Sequence, residues 1–290
     1  MSTRVLIVGT GLIGASIGLA LRSLGERFDG EVLGWDPHVQ ESATALASGA
    51  LHRVLPNIED VFERDVADIY VLAAPVLPIL DWMERLAPVL GPHQLVTDAG
   101  STKRTICDAA ARLYNGAGKA SFLAGHPMAG KEAGGAALAD AELFHGATWL
   151  FTPPIPASPL ALQWQAWVED FGANVREIDA TRHDELCAWV SHLPQMLSTA
   201  LAALLEDTFP GDAVAEVQAV GGRALRETTR LGSSPYSMWR DIALTNTEPI
   251  AATLLALEQR LQHLRENLRT PELREEFRTA NRFRAQQPRP

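Results

Sequence analysis

The stretch that decides the fold is "RVLIVGTGLIGASIGLALRSLG", residues 4–25. It begins as an apolar run of strand length, Val5-Leu6-Ile7-Val8, and breaks at Gly9. Glycines recur at Gly11 and Gly14, the G-x-G-x-x-G spacing, and from Leu12 the apolar residues take up a helical period. Gly9 permits a tight turn, Gly11 lets the backbone approach a ligand, and Gly14 lets helix and strand pack closely. The first turn of such a helix carries unpaired N–H groups and the positive end of the helix dipole. Gly9, Gly11, Leu12, Ile13 and Gly14 therefore form a cradle for the pyrophosphate of a dinucleotide.

The second apolar run, "EVLGWD" (31–36), ends on an acid. Asp36 is placed to accept hydrogen bonds from a ribose 2′-hydroxyl and to repel a 2′-phosphate. The next residues, Pro37 and His38, supply no Lys or Arg to attract one, so NAD is favoured over NADP. "DIYVLAAP" (68–75), "QLVTDAG" (94–100), "SFLAGHP" (121–127), "ATWLFTP" (147–153) and "ANVREID" (173–179) repeat the strand pattern, with amphipathic stretches between several of them. This alternation predicts an α/β fold: a doubly wound, parallel Rossmann-type sheet covered on both faces. From about Thr181 the strand signals fade. "HDELCAWVSHLPQMLSTALAALLEDT" and "EPIAATLLALEQRLQHLRENL" have helical periodicity. The chain divides into a dinucleotide-binding domain, 1–179, and an all-α domain, 180–290. Several of the later helices are apolar around most of their circumference, as in "LSTALAALL" (197–205), which predicts a homodimer built through that domain.

Bulk properties exclude other classes. A length of 290 residues suits two domains, and the formal charge of −10 argues against a nucleic-acid surface. No apolar run reaches the roughly 18 residues of a membrane span. The N-terminus runs straight into a strand, so no signal peptide is expected. Cys107 and Cys187 lack metal-type spacing and read as two reduced thiols of a cytoplasmic protein.

In doubly wound sheets the ligand lies beyond the carboxyl ends of the strands, and three such ends are chemically loaded. "LAAP" (72–75) places Ala74 and Pro75 beside the nicotinamide half of the cofactor. "TDAGSTK" (97–103) puts Ser101 at a helix start, either as an N-cap or as a hydroxyl partner for a nearby imidazole. "SFLAGHP" ends on His126, which titrates near neutrality and can take a proton from a substrate hydroxyl as hydride leaves. His126 has no metal partner at a useful local spacing, so no metal site is expected. In the helical domain Arg230, after Thr228-Thr229 and before "LGSS", can clamp a carboxylate. His183 and His192 lie on or near the first helix of that domain, and each is either structural or part of the site.

These residues together resemble the prephenate dehydrogenase family of tyrosine biosynthesis. The motifs "GTGLIGASIG", "VTDAGSTK", "GHPMAGKE", "HDELCAWVSHLPQ" and "ETTRLGSSPYSMWRDI" occur in the family's order and cover roughly residues 1–265. The resemblance implies NAD-dependent oxidative decarboxylation of prephenate to 4-hydroxyphenylpyruvate and carbon dioxide. It implies His126 as the base, Ser101 as its hydroxyl partner, Arg230 on a substrate carboxylate and Glu132 as a further site residue. His183 and Gln195 join the expected substrate site. The chain departs from the family's pattern at Gln195, where many members carry histidine, at Arg223, where glycine is common, and at Glu227, where aspartate is. Gln195 and Arg223 border the expected pocket for the substrate side chain, where prephenate carries a ketone and arogenate an amine. Prephenate, arogenate or both therefore stay open as substrates. There is no room for a regulatory domain of the ACT type or an N-terminal mutase segment, so a monofunctional enzyme is expected. The competing readings are a β-hydroxyacid dehydrogenase and a non-catalytic NAD sensor. The first usually needs a lysine in the helical domain, and segment 181–240 has none. The second has no need for His126 and Arg230 together.

Overall fold

The computed structural model describes residues 2–63, 65–131, 133–153 and 158–286. An eight-stranded sheet in the order β3-β2-β1-β4-β5-β6-β7-β8 organises the first part of the chain. Its strands are β1 (Arg4–Val8), β2 (Glu31–Trp35), β3 (Arg53–Val54), β4 (Ile69–Leu72), β5 (Leu95–Asp98), β6 (Ser121–Pro127), β7 (Thr148–Thr152) and β8 (Asn174–Glu177). The order of the first six is that of a dinucleotide-binding Rossmann sheet, with its switch point between β1 and β4. Helices α1 (Leu12–Ser23), α2 (Val39–Ala47), α3 (Val76–Leu86), α4 (Arg104–Leu113) and α5 (Pro159–Asp170) accompany it.

The central strands are continuous apolar runs because helices cover both faces. Side chains alternate across the sheet. Val5 and Ile7 join a core with Ile17, Leu21, Val71 and Trp164, whereas Leu6 and Val8 join another with Leu72, Ile79, Met83 and Ile106. Two features depart from the expected seven-stranded parallel sheet. β3 is only two residues long, too short to leave a periodic signal. β7 runs antiparallel to β6, while every other neighbouring pair is parallel. Among its described residues the β6–β7 connection contains a 3₁₀ turn, Ala136–Leu138, and no α-helix, and it is the crossover helix that returns a chain to the parallel direction.

Beyond β8 the described chain is helical: α6 (Ala180–Cys187), a π-helical turn Ala188–His192, α7 (Leu193–Thr208), α8 (Asp212–Thr229), α9 (Tyr236–Thr245), α10 (Thr247–Glu266) and α11 (Glu272–Ala285). Asp179 caps α6, accepting the N–H of Thr181 and Arg182. The helical part docks on the carboxyl ends of the sheet through two acids. Asp184 of α6 accepts the N–H of Lys103 (2.7 Å) and Arg104 (2.9 Å) at the start of α4. Asp241 of α9 accepts the N–H of Leu77 (3.1 Å) at the start of α3. Each acid satisfies donors that a helix start leaves open. α8 and α11 contain no buried residue, and large apolar side chains such as Val220, Leu204 and Leu244 stand exposed on the helical part.

Candidate active site

Gly9 takes a φ of +93°, and a Cβ there would lie 2.4 Å from the carbonyl oxygen of Ala73. A Cβ on Gly14 would lie 1.9 Å from the oxygen of Gly9, so these two positions admit no other residue without backbone movement. Gly11 differs. A Cβ there would meet nothing within 4 Å, so its lack of a side chain leaves open space at the N-terminus of α1. That space, bounded by helix N–H groups, fits a pyrophosphate. Asp36 follows β2; its Oδ2 accepts the N–H of Thr10 (2.7 Å) and its Oδ1 the N–H of His38 (2.8 Å). The carboxylate is thus anchored beside the glycine turn with acceptor capacity left for a ribose. Ala74 and Pro75 follow β4, next to the Ala73 carbonyl that Gly9 packs against, and Pro75 leads into α3.

His126 lies near the end of β6 and is almost fully buried. Its Nδ1 lies 2.9 Å from Nε2 of His183, and Nδ1 of His183 lies 2.7 Å from Oδ1 of Asp184. A salt bridge between Lys103 and Asp98, both buried, lies alongside, and Oδ1 of Asp98 accepts the N–H of Gly125 at 3.1 Å. Burial, reinforced by His183, Lys103 and His192, holds the His126 imidazole well below its ordinary 6.5. Burial and Lys103 also lower His183, against the pull of Asp184. Burial alone would raise Asp184. The hydrogen bonds from His183 and from the N–H of Arg104 and Lys103 outweigh it and hold the carboxyl below the usual carboxylate range. The cluster therefore holds two neutral imidazoles on one carboxylate at neutral pH. Cys187 Sγ lies 3.6 Å from His183 Nε2, and burial pushes its thiol up to about 12. One ligand atom from each of His126, His183 and Cys187 lies within 4.8 Å of the others, a grouping that the sequence spacing does not show.

Comparison with known proteins shows the family. Residues 17–176 match the model of the prephenate dehydrogenase nucleotide-binding domain, and residues 179–282 match that of the prephenate dehydrogenase dimerization domain. The chain belongs to the prephenate dehydrogenase family. A prephenate dehydrogenase of Lactococcus lactis is 32% identical over 264 residues, covering 91% of this chain and 70% of that protein. The crystal structure of prephenate dehydrogenase from A. aeolicus, in complex with hydroxyphenyl propionate and NAD+, superposes with a TM-score of 0.83 at 28% identity, covering 98% of this chain and 95% of that one. The Synechocystis arogenate dehydrogenase structure gives 0.76 at 29% identity, with 97% and 99% covered.

Within the family frame, the structure places the remaining expected residues as follows. Ser101 is half-buried in the turn between β5 and α4, and among the described residues no hydrogen bond joins it to His126. The partner of His126 is His183, and the cap of α4 comes from Asp184 instead of Ser101. His183 is fully buried, with both ring nitrogens engaged by His126 and Asp184. Gln195 is also spoken for. Its amide donates to the carbonyl of Leu231 (2.7 Å) and to Thr199, and accepts from Ser234. It ties α7 to the 3₁₀ turn Arg230–Ser233, which Arg230 opens. Arg223 pairs with Glu227 on an exposed face of α8. Glu132 lies outside the described residues.

Sequence reasoning missed Asp98, Lys103 and Asp184. The first two stand inside the quoted "TDAGSTK", and Asp184 follows His183 directly. An acid or lysine of that kind usually reads as a solvated face, and only burial marks these three out.

Proposed function

We propose that the protein is an NAD-dependent prephenate dehydrogenase, converting prephenate to 4-hydroxyphenylpyruvate and carbon dioxide in tyrosine biosynthesis. The observation that carries this reading is the buried, neutral imidazole of His126 at a strand end on the cofactor side of a family sheet. Gly9–Gly14 and Asp36 would hold NAD, which would supply the acceptor for hydride from the ring carbinol carbon. His126 takes the hydroxyl proton in the same step, which leaves a ketone conjugated with the ring. The quaternary carboxylate then leaves as carbon dioxide, its bonding electrons complete the aromatic ring, and the phenolate oxygen recovers a proton. The substrate supplies all the atoms and the only net oxidant is NAD, so His126 has to hold one proton for the duration of the reaction.

Arg230 anchors a substrate carboxylate, and Gln195 acts through it by bracing its turn. Ser101 lines the hydroxyl end of the site, and Glu132 is kept as a site residue on the resemblance alone. We divide the chain at 179/180, a division supported by β8 ending at Glu177 and α6 starting at Ala180. We further propose a homodimer through the helical part, supported by its exposed apolar residues. We assign the enzyme to the cytoplasm; the two free cysteines agree with a reducing compartment. Among the described residues no helix is long and apolar enough to cross a membrane.

Arogenate is the second substrate to compare, because Gln195 replaces a histidine that many members carry. The test is NADH formation followed at 340 nm with each substrate and with Arg230→Gln. The expected result is turnover of prephenate by the wild type and a KM raised about 10–100-fold in Arg230→Gln, since a charge-assisted bidentate contact is lost. No NADH with either substrate overturns the assignment.

A further inference from the structure

Three side chains form a line in the seam between sheet and helices, and their protons can be counted. Asp184 already accepts the N–H of Lys103 and Arg104, so it enters the line as a carboxylate. The nitrogen facing it, Nδ1 of His183, must carry a proton to hydrogen-bond at 2.7 Å. A neutral His183 then has a bare Nε2. That Nε2 lies 2.9 Å from Nδ1 of His126, so the proton between the two rings sits on His126 Nδ1. A neutral His126 is left with its lone pair on Nε2, which makes no hydrogen bond among the described residues. The other arrangement would need a protonated Asp184 or a cationic His183, and the surroundings oppose both.

We infer that Asp184 and His183 are positioning residues that set the tautomer of His126, presenting Nε2 as the base. Neither touches substrate. Asp184 does two jobs with one carboxylate. It holds the start of α4, and through His183 it fixes which nitrogen of His126 is free. As His126 takes up a proton, Nδ1–H donates more strongly to His183, and the carboxylate behind stabilises the charge; the proton added at Nε2 is the one returned to the phenolate. The geometry of a carboxylate orienting an imidazole base is a general one, extended here by a second ring. This inference rests on the reading of His126 as the base.

The test joins a spectrum with kinetics. Long-range 1H–15N correlation of the imidazole rings in the wild-type protein, without substrate, is expected to show His126 and His183 both as Nδ1–H, Nε2-bare tautomers. His126 found as the Nε2–H tautomer overturns the inference. In Asp184→Asn the amide can turn an N–H towards His183, which reverses both rings. The expected outcome is His126 as the Nε2–H tautomer and a kcat lower by about 10²-fold or more, with KM for substrate and NAD within about threefold. A kcat within about threefold of wild type, or a loss confined to KM, overturns it. If Asp184→Asn fails to fold, the wild-type spectrum decides by itself. The predicted tautomers in a protein that forms no NADH from prephenate or arogenate sink the proposed function and leave the relay standing. Turnover by a wild type with the wrong tautomer does the reverse.

Discussion

Around Gly9–Gly14 the groups offered to the proposed cofactor are backbone N–H, supplied by one continuous strand–turn–helix unit. Around His126 the groups are side chains, and they come from β6, α6 and the turn leading into α4. The first region works because side chains are missing: glycine at 9 and 14 avoids collisions with backbone, and glycine at 11 leaves space. The second works because burial and close partners set the resting protonation of His126, His183 and Asp184. A phosphate cradle can tolerate solvent, since many weak N–H donors share the load. A base used once per turnover needs a single lone pair, and burial with a fixed partner provides it.

The sharpest way to break this contrast is at His126. His126→Asn should keep NAD and substrate binding and lower kcat by about 10²–10⁴-fold, measured by NADH formation at saturating substrate. Equal activity would remove the seam from the chemistry altogether. Lys103→Met comes next. It leaves Asp98 buried without its cation, and removing one partner of a buried pair costs about 3–5 kcal/mol, to be read from denaturant unfolding. An unchanged midpoint would mean that the pair contributes nothing to the seam. At the cradle, Asp36→Asn should weaken NAD about tenfold and relax its preference over NADP, read from KM with each cofactor.

The smallest effect is in pH. Because His126 is held well below 6.5 by burial, His183, Lys103 and His192, the acid limb of kcat/KM should fall below pH 6.5, with activity level through neutrality. Burial likewise lowers His192 to about 4. Its folded form favours the neutral ring, so its contribution to stability is complete above 6.5. That contribution is lost as pH falls towards 4, and the melting temperature should decline over that window. An acid limb at or above 6.5 would mean that the base is solvated, and the two regions would differ less than their packing suggests.

The cradle was readable without coordinates because its parts are adjacent in the chain and each glycine has a local reason. His126 was readable as a residue at a strand end, but its partner was not. Ser101 was the nearer candidate in motif terms, and the structure hands that place to His183 instead. His183 reads equally well as a structural histidine or as part of the site, because its role depends on where α6 docks. The antiparallel β7 was missed for a similar reason. Strand direction is set by the connection, and the described residues between β6 and β7 include no α-helix to carry the chain back.

By itself, then, the sequence determined what is written in neighbouring residues: the strand–glycine–helix unit, the acid after β2, the change from α/β to helical, and the motifs of the family. Such features follow from periodicity and from steric limits that operate over a few residues. Only the tertiary structure decided which residues share a dielectric. Asp98 and Lys103 became a buried salt bridge, Asp184 became the cap of a helix 80 positions away in sequence, and His126 and His183 came to share a proton. Burial and partner choice are properties of the packed chain, and they set the protonation states on which a base depends.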